Sequence, residues 1–158
     1  MTMTDVRPTE NRLMIRGARD EDIPALAALL GELGYPASPD VIGQRLHAML
    51  DVGELVLIAT RDSEALGVVT VHVTPVLHRP TSVGRITALV VTRRARGEGV
   101  GRALVDVAER LLAKRGCALI EVTSNQRRAD AHAFYVRLGY EVTSLRFKKE
   151  LPPATTQD

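Results

Sequence analysis

The sequence predicts an α/β fold with a mixed central sheet. The sheet is antiparallel in its early strands, parallel where the fourth strand meets the fifth, and flanked by about four helices. Three observations carry that prediction. The apolar runs 55–60 and 66–74 are separated only by a short polar turn, Asp62-Ser63-Glu64, so they pair antiparallel. The runs that begin at Val83 and Ala118 enclose a helix-period segment and lie about 30 residues apart, the length of a right-handed parallel crossover. Between the first of those runs and that helix lies a glycine-rich turn, Arg96-Gly97-Glu98-Gly99-Val100-Gly101.

The elements follow in order. Residues 13–16 form a short first strand. Asp20 caps the first helix, whose inward stripe is Ile23, Leu26, Ala27, Leu30 and Leu33 and which ends near Gly34. Ser38 caps the second helix, with Pro39 at its first position, and that helix runs to about Leu50. Strands two and three are the hairpin already described. A loop over 75–80 leads to the fourth strand, 83–92. After the glycine turn, Val100, Ala103, Leu104, Val107, Ala108, Leu111 and Leu112 recur at three- and four-residue spacing. That helix reaches Lys114 and is stopped by Gly116. Residues 118–123 form the fifth strand and 128–138 the last helix, and the alternation over 141–149 supplies one or two final strands. Residues 1–11 and 152–158 are expected to be flexible tails.

Composition bounds the function. A chain of 158 residues, 45% hydrophobic, is enough for one domain with a real core. A net charge of +2 is too small to argue for nucleic acid. Cys117 is the only cysteine, which excludes an internal disulfide and suits a reducing cytoplasm. It opens an apolar run after Gly116 and reads as buried and inert. No run reaches membrane length and Met1 opens no signal-peptide pattern, so a cytoplasmic protein with no membrane partner is expected. No metal-ligand cluster is visible.

The glycine turn carries chemistry. The first backbone N–H groups of a helix have no internal partner and lie at the positive end of its dipole. Glycines let a ligand approach that backbone, so a phosphate or pyrophosphate is expected here. A P-loop would need a Gly-Lys-Ser/Thr ending, and the dinucleotide fingerprint spaces its glycines as G-x-G-x-x-G. Gly97, Gly99 and Gly101 fit neither. Read from Arg96, the turn is R-x-x-G-x-G after a strand ending Leu89-Val90-Val91. That string resembles the coenzyme A pyrophosphate loop of the GNAT N-acetyltransferase superfamily. Farther on, Ala131-His132-Ala133-Phe134-Tyr135, Val136-Arg137-Leu138 and Gly139-Tyr140 resemble the later motif of the same superfamily. The two motifs stand in the right order and together cover residues 83–151.

The resemblance implies a single N-acetyltransferase domain over 1–158, with acetyl-CoA as cosubstrate and an amine as acceptor. It implies that strands four and five splay apart and that the pantetheine arm pairs with the backbone of Leu89, Val90 and Val91. It puts Tyr135 at the position of the acid that meets the leaving sulfur. Some family members place a carboxylate on strand four, but no Asp or Glu lies between Glu64 and Glu98. The proton acceptor is therefore a histidine (His72, His78 or His132) or bound water. Where the family often has an asparagine seven residues before the tyrosine, this chain has Arg128, with Asn125 three residues earlier. Either Asn125 folds back to the cofactor or Arg128 contacts it. Arg93, Arg94 and Arg102 flank the loop, where they either meet phosphate or remain solvated.

The acceptor side falls to the first two helices and the 75–80 loop, which offer Glu32, Tyr35, His47 and His78. Two function classes stand open: a catalytic N-acetyltransferase, and a non-catalytic coenzyme A-binding or sensor module. Tyr135 favours catalysis, since a sensor needs no acid at the sulfur. The segment 145–151 places Leu145 and Phe147 on one face and Arg146, Lys148 and Glu150 on the other, an edge strand through which a homodimer can form.

Overall fold

The computed structural model describes residues 11–153. The chain divides into two compact units, Met1–Val122 and Thr123–Asp158. The first holds a five-stranded sheet whose strands neighbour one another in chain order: β1 (Met14–Gly17), β2 (Leu55–Arg61), β3 (Glu64–Thr74), β4 (Val83–Val91) and β5 (Leu119–Val122). The first three junctions are antiparallel and β4–β5 is parallel, as the spacing predicts. Asp62 and Ser63 both adopt positive φ, 49° and 66°, which closes the β2–β3 hairpin in two residues without a glycine.

The helices cover the sheet because successive strand residues face opposite ways. Leu26 and Leu29 of α1 (Ile23–Leu33) and Ile42 and Leu46 of α2 (Pro39–Asp51) cluster with Val56, Ile58, Val68 and Val90. Val68 turns to that face, so its neighbours Gly67 and Val69 turn to the other. There α3 (Val100–Lys114) buries Leu104, Val105, Ala108 and Leu112. Gly67 permits the approach, since a Cβ on it would lie 2.8 Å from the Val90 carbonyl and 3.1 Å from Leu104. Ser38 caps α2 through the Val41 N–H, and Gly34 closes α1 with φ 101°, both as expected.

Two expectations are corrected. The acid at the start of the first helix is Asp22, not Asp20. A short 3-10 turn, Asp20–Asp22, precedes α1, and Asp22 reaches back to accept the Arg19 N–H at 2.8 Å. Its carboxylate also accepts both Arg16 Nη atoms, whereas Asp20 turns outward to His47. The second correction lies in the other unit. There α4 (Ala129–Arg137) forms, ending at Gly139 with φ 91°, but no strand follows among the described residues. Val142, Leu145, Phe147 and Leu151 are all exposed. Alternation specifies which residues share a face, but a strand exists only where a second backbone accepts its hydrogen bonds. The expected tails lie mostly outside the described residues; Asn11 is tied to Asp62 through its N–H.

Candidate active site

The glycine turn is built from three bends. β4 ends at Val91, a 3-10 turn spans Arg93–Ala95, and Arg96 is extended. Gly97 and Gly99 then take φ of 80° and 81°, a region that costs a side-chain-bearing residue about 1–2 kcal/mol. Gly99 is the N-cap of α3, and no side chain caps it. The first intrahelical bond runs from Ala103 N–H to the Gly99 carbonyl, so the N–H groups of Val100, Gly101 and Arg102 have no helical acceptor. Val100 is buried and anchors the turn, while Arg96, Gly97, Glu98, Gly99 and Arg102 are exposed.

Side chains brace this turn against the rest of the first unit. Glu98 accepts a hydrogen bond from Arg61 Nη1 at 2.6 Å, and Arg94 pairs with Glu64. Arg96 Nε donates to the Val91 carbonyl at 3.1 Å. Glu32 accepts from the Thr92 hydroxyl at 2.8 Å and from the Arg93 N–H at 3.0 Å. Those two donors hold the Glu32 carboxyl below the usual range, the Thr92 hydroxyl contributing most. Glu32, read from sequence as an acceptor-side residue, therefore secures the end of β4. His47 is engaged with Asp20, and His78 is exposed in the 75–80 loop.

The parallel junction is short. β4 pairs with β5 only from Val83 to Ile86, opposite Leu119 to Val122. Leu89, Val90 and Val91 pair with Val69, Val68 and Gly67 of β3, and their other edge has no strand partner among the described residues. At the change, the register with β3 slips so that Thr87 is extra, and its hydroxyl is hydrogen-bonded to the Thr70 hydroxyl at 2.7 Å. Bulges of this kind re-aim side chains beside active sites. Arg85 of β4 pairs with Glu121 of β5 just before it.

Sequence reasoning missed one pair. Glu54 accepts a hydrogen bond from His72 Nδ1 at 2.5 Å. The β2–β3 register sets Leu55 against Val71, so the next pair outward is Glu54 and His72. A slip between Ala59 and Thr60 shifts that register by one residue. Without it Glu54 would lie opposite Val71, and no sequence pattern announced the slip.

In the second unit, Tyr135 stacks edge-on against Phe134 and Tyr140, with centroids 5.2 and 5.4 Å away. Burial pushes its phenol up to about 12, against a smaller opposing pull from Arg128. Asn125 Oδ1 accepts the Arg127 N–H, and the Asn125 carbonyl accepts the Arg128 N–H. His132 Nε2 donates to that carbonyl at 2.9 Å. So Asn125 and His132 are bonded to each other's turn, and Arg128 begins α4 exposed. Cys117 is half-buried.

Comparison with known proteins agrees with this geometry. The model of the acetyltransferase (GNAT) family matches residues 23–140. An aminoalkylphosphonate N-acetyltransferase of Salmonella typhimurium is 34% identical over 142 residues, covering 87% of this chain and 90% of that protein. A solved transcriptional regulator from Bacillus halodurans C-125 shares the fold with a TM-score of 0.79 at 25% identity, covering 89% of this chain and all of that one. An aminoglycoside N-acetyltransferase solved with CoA gives 0.80 at 18% identity, over 92% of this chain and 99% of that one, a likeness of fold alone. Among the described residues no helix is long and apolar enough to cross a membrane, and no group of three His, Cys, Asp or Glu is placed to hold a metal ion. The match over most of its length and the named relative make this chain a member of the acetyltransferase (GNAT) family, an acyl-CoA-dependent acetyltransferase.

Proposed function

We propose that the chain, acting as one N-acetyltransferase domain over residues 1–158, moves an acetyl group from acetyl-CoA to a primary amine by direct attack in a ternary complex. The observation that carries this reading is the uncapped N-terminus of α3, with Gly97 and Gly99 in the left-handed region and three backbone N–H groups without a helical acceptor. A pyrophosphate satisfies those donors and the helix dipole together. In this reading the turn from Arg96 to Gly101, with Arg102, takes the pyrophosphate. The unpaired edge of Leu89, Val90 and Val91 takes the pantetheine amides, and Asn125 or Arg128 adds a contact.

The chemistry needs an unprotonated amine, a polarised carbonyl and protection of the departing thiolate. Tyr135 serves the last step. With its phenol near 12 it keeps its proton at physiological pH and donates a hydrogen bond to the developing thiolate. His132 steadies the Asn125 turn through its Nε2. The acceptor is a small molecule or a peptide. The aminoalkylphosphonate named for the Salmonella relative supports a small amine. The protein works in the cytoplasm, and two copies associate through residues 145–151.

The test supplies acetyl-CoA with pooled primary amines, including 2-aminoethylphosphonate, and reads free thiol. Amine-dependent thiol release is expected, and its absence rejects the activity. Gly99→Asp strains the turn and sets a carboxylate where the pyrophosphate sits. Calorimetry should find coenzyme A affinity lost while circular dichroism reports an intact fold. Unchanged affinity overturns the loop assignment.

A further inference from the structure

We propose that His72, held by Glu54, is the group that takes the proton from the attacking amine. The inference rests on the acetyltransferase reading above and names a residue outside the motifs that suggested it.

An arm anchored by phosphates at the α3 turn and lying along the unpaired edge of β4 runs from Val91 back toward Thr87. That edge is about 14 Å long at strand rise. It closes at Ile86, where β5 takes over the hydrogen bonds. The reactive end of such an arm therefore lies beside Thr87, at the bulge. The Thr87 hydroxyl is bonded to Thr70, and His72 is two residues along the same strand on the same face. The register sets His72 opposite Arg85, just outside the bulge.

Of the four histidines, His47 pairs with Asp20 in an exposed bridge, His78 is exposed, and His132 has its Nε2 on a carbonyl. Only His72 joins a strand position to a largely buried carboxylate, the Glu54 side chain being 19% exposed and His72 41%. Glu54 itself is held by its N–H on the Met49 carbonyl, at the turn that ends α2. A carboxylate accepts only, so Nδ1 carries the proton and Nε2 is left as the basic nitrogen. The same carboxylate stabilises the imidazolium that forms, the arrangement that orients a histidine base in other acyl transfers.

The step balances. The free amine attacks the thioester carbonyl and the C–N bond forms. Its nitrogen becomes acidic and one proton passes to His72 Nε2. The C–S bond breaks with its electron pair on sulfur, sulfur takes one proton from water, and the imidazolium returns one to water.

The experiment compares kcat with 2-aminoethylphosphonate, or the best amine of the pool, and acetyl-CoA affinity by calorimetry. His72→Gln should lower kcat by about 10²- to 10⁴-fold and leave that affinity within about twofold. His72→Ala should regain turnover when free imidazole is added, which a purely structural role does not allow. Glu54→Gln should lower kcat and Glu54→Asp should recover part of it. A kcat within about twofold in His72→Gln, a loss of coenzyme affinity in step with kcat, or no rescue by imidazole overturns the proposal. Failure of the wild-type protein to release thiol with any amine overturns the activity itself, and is seen with the unaltered chain alone.

Discussion

Tyr135 is a titratable residue whose burial is felt in its chemistry. The half-buried phenol lies between two rings, and desolvation lifts it to about 12. Its proton-bearing form thus persists to about that pH, and a basic limb of the pH–rate profile below about pH 10 belongs to another group. Tyr135→Phe keeps the ring and removes the donor. Turnover should fall by about 10²- to 10⁴-fold with acetyl-CoA affinity unchanged. A rate within about twofold of wild type rejects the assignment. Glu98 and Glu32 show a different use of charge. Glu98 lies in the glycine turn, and Glu32 reaches from α1 to the end of β4 just before it. Each is spoken for, by Arg61 and by Thr92 with the Arg93 N–H.

At the scale of elements, the corner between β1 and α1 depends on one ion pair. Arg16 of β1 donates to both oxygens of Asp22 at 2.7 and 2.8 Å, and Asp22 also accepts the Arg19 N–H. The Arg16 hydrogen bond does most to hold the Asp22 carboxyl below its ordinary value. A depressed carboxyl contributes stability that is present above the ordinary range, near pH 4, and is lost as pH falls through the folded value. Asp22→Asn should therefore cost about 1.5–3 kcal/mol at pH 7, and the gap to wild type should narrow below pH 4. Denaturant melts at pH 7 and pH 3 measure it. An equal gap at both values rejects the account. The same corner carries α1, whose Glu32 secures the end of β4, so slackening it should also weaken coenzyme binding.

At the scale of the molecule, the sheet of the first unit is complete through β5, while residues 141–153 of the second unit join no strand. Leu145, Phe147 and Leu151 are exposed at 76%, 90% and 81%, the apolar side chains through which association is proposed. Association of two copies through this segment predicts a light-scattering mass twice the chain's 17.2 kDa at micromolar concentration. A mass of one chain rejects it. Phe147→Ser should return a dimer to that mass.

Local patterns are enough for the architecture. Period-two and period-3.6 runs, the Ser38 cap and the crossover length are properties of neighbouring residues, so the β2–β3 hairpin, the parallel β4–β5 junction and the glycine turn are legible in the chain itself. Asp22 displaces Asp20 because the cap depends on which carboxylate reaches an arginine on the preceding strand. The final strands fail because alternation cannot supply a partner backbone. The Glu54–His72 pair depends on a one-residue slip between two strands. Register is set by how whole strands pack on a core, and a shift of one residue turns every side chain to the other face. Most of the elements and the glycine turn are thus written in the sequence, while the pairing of chemical groups across the sheet belongs to tertiary packing alone.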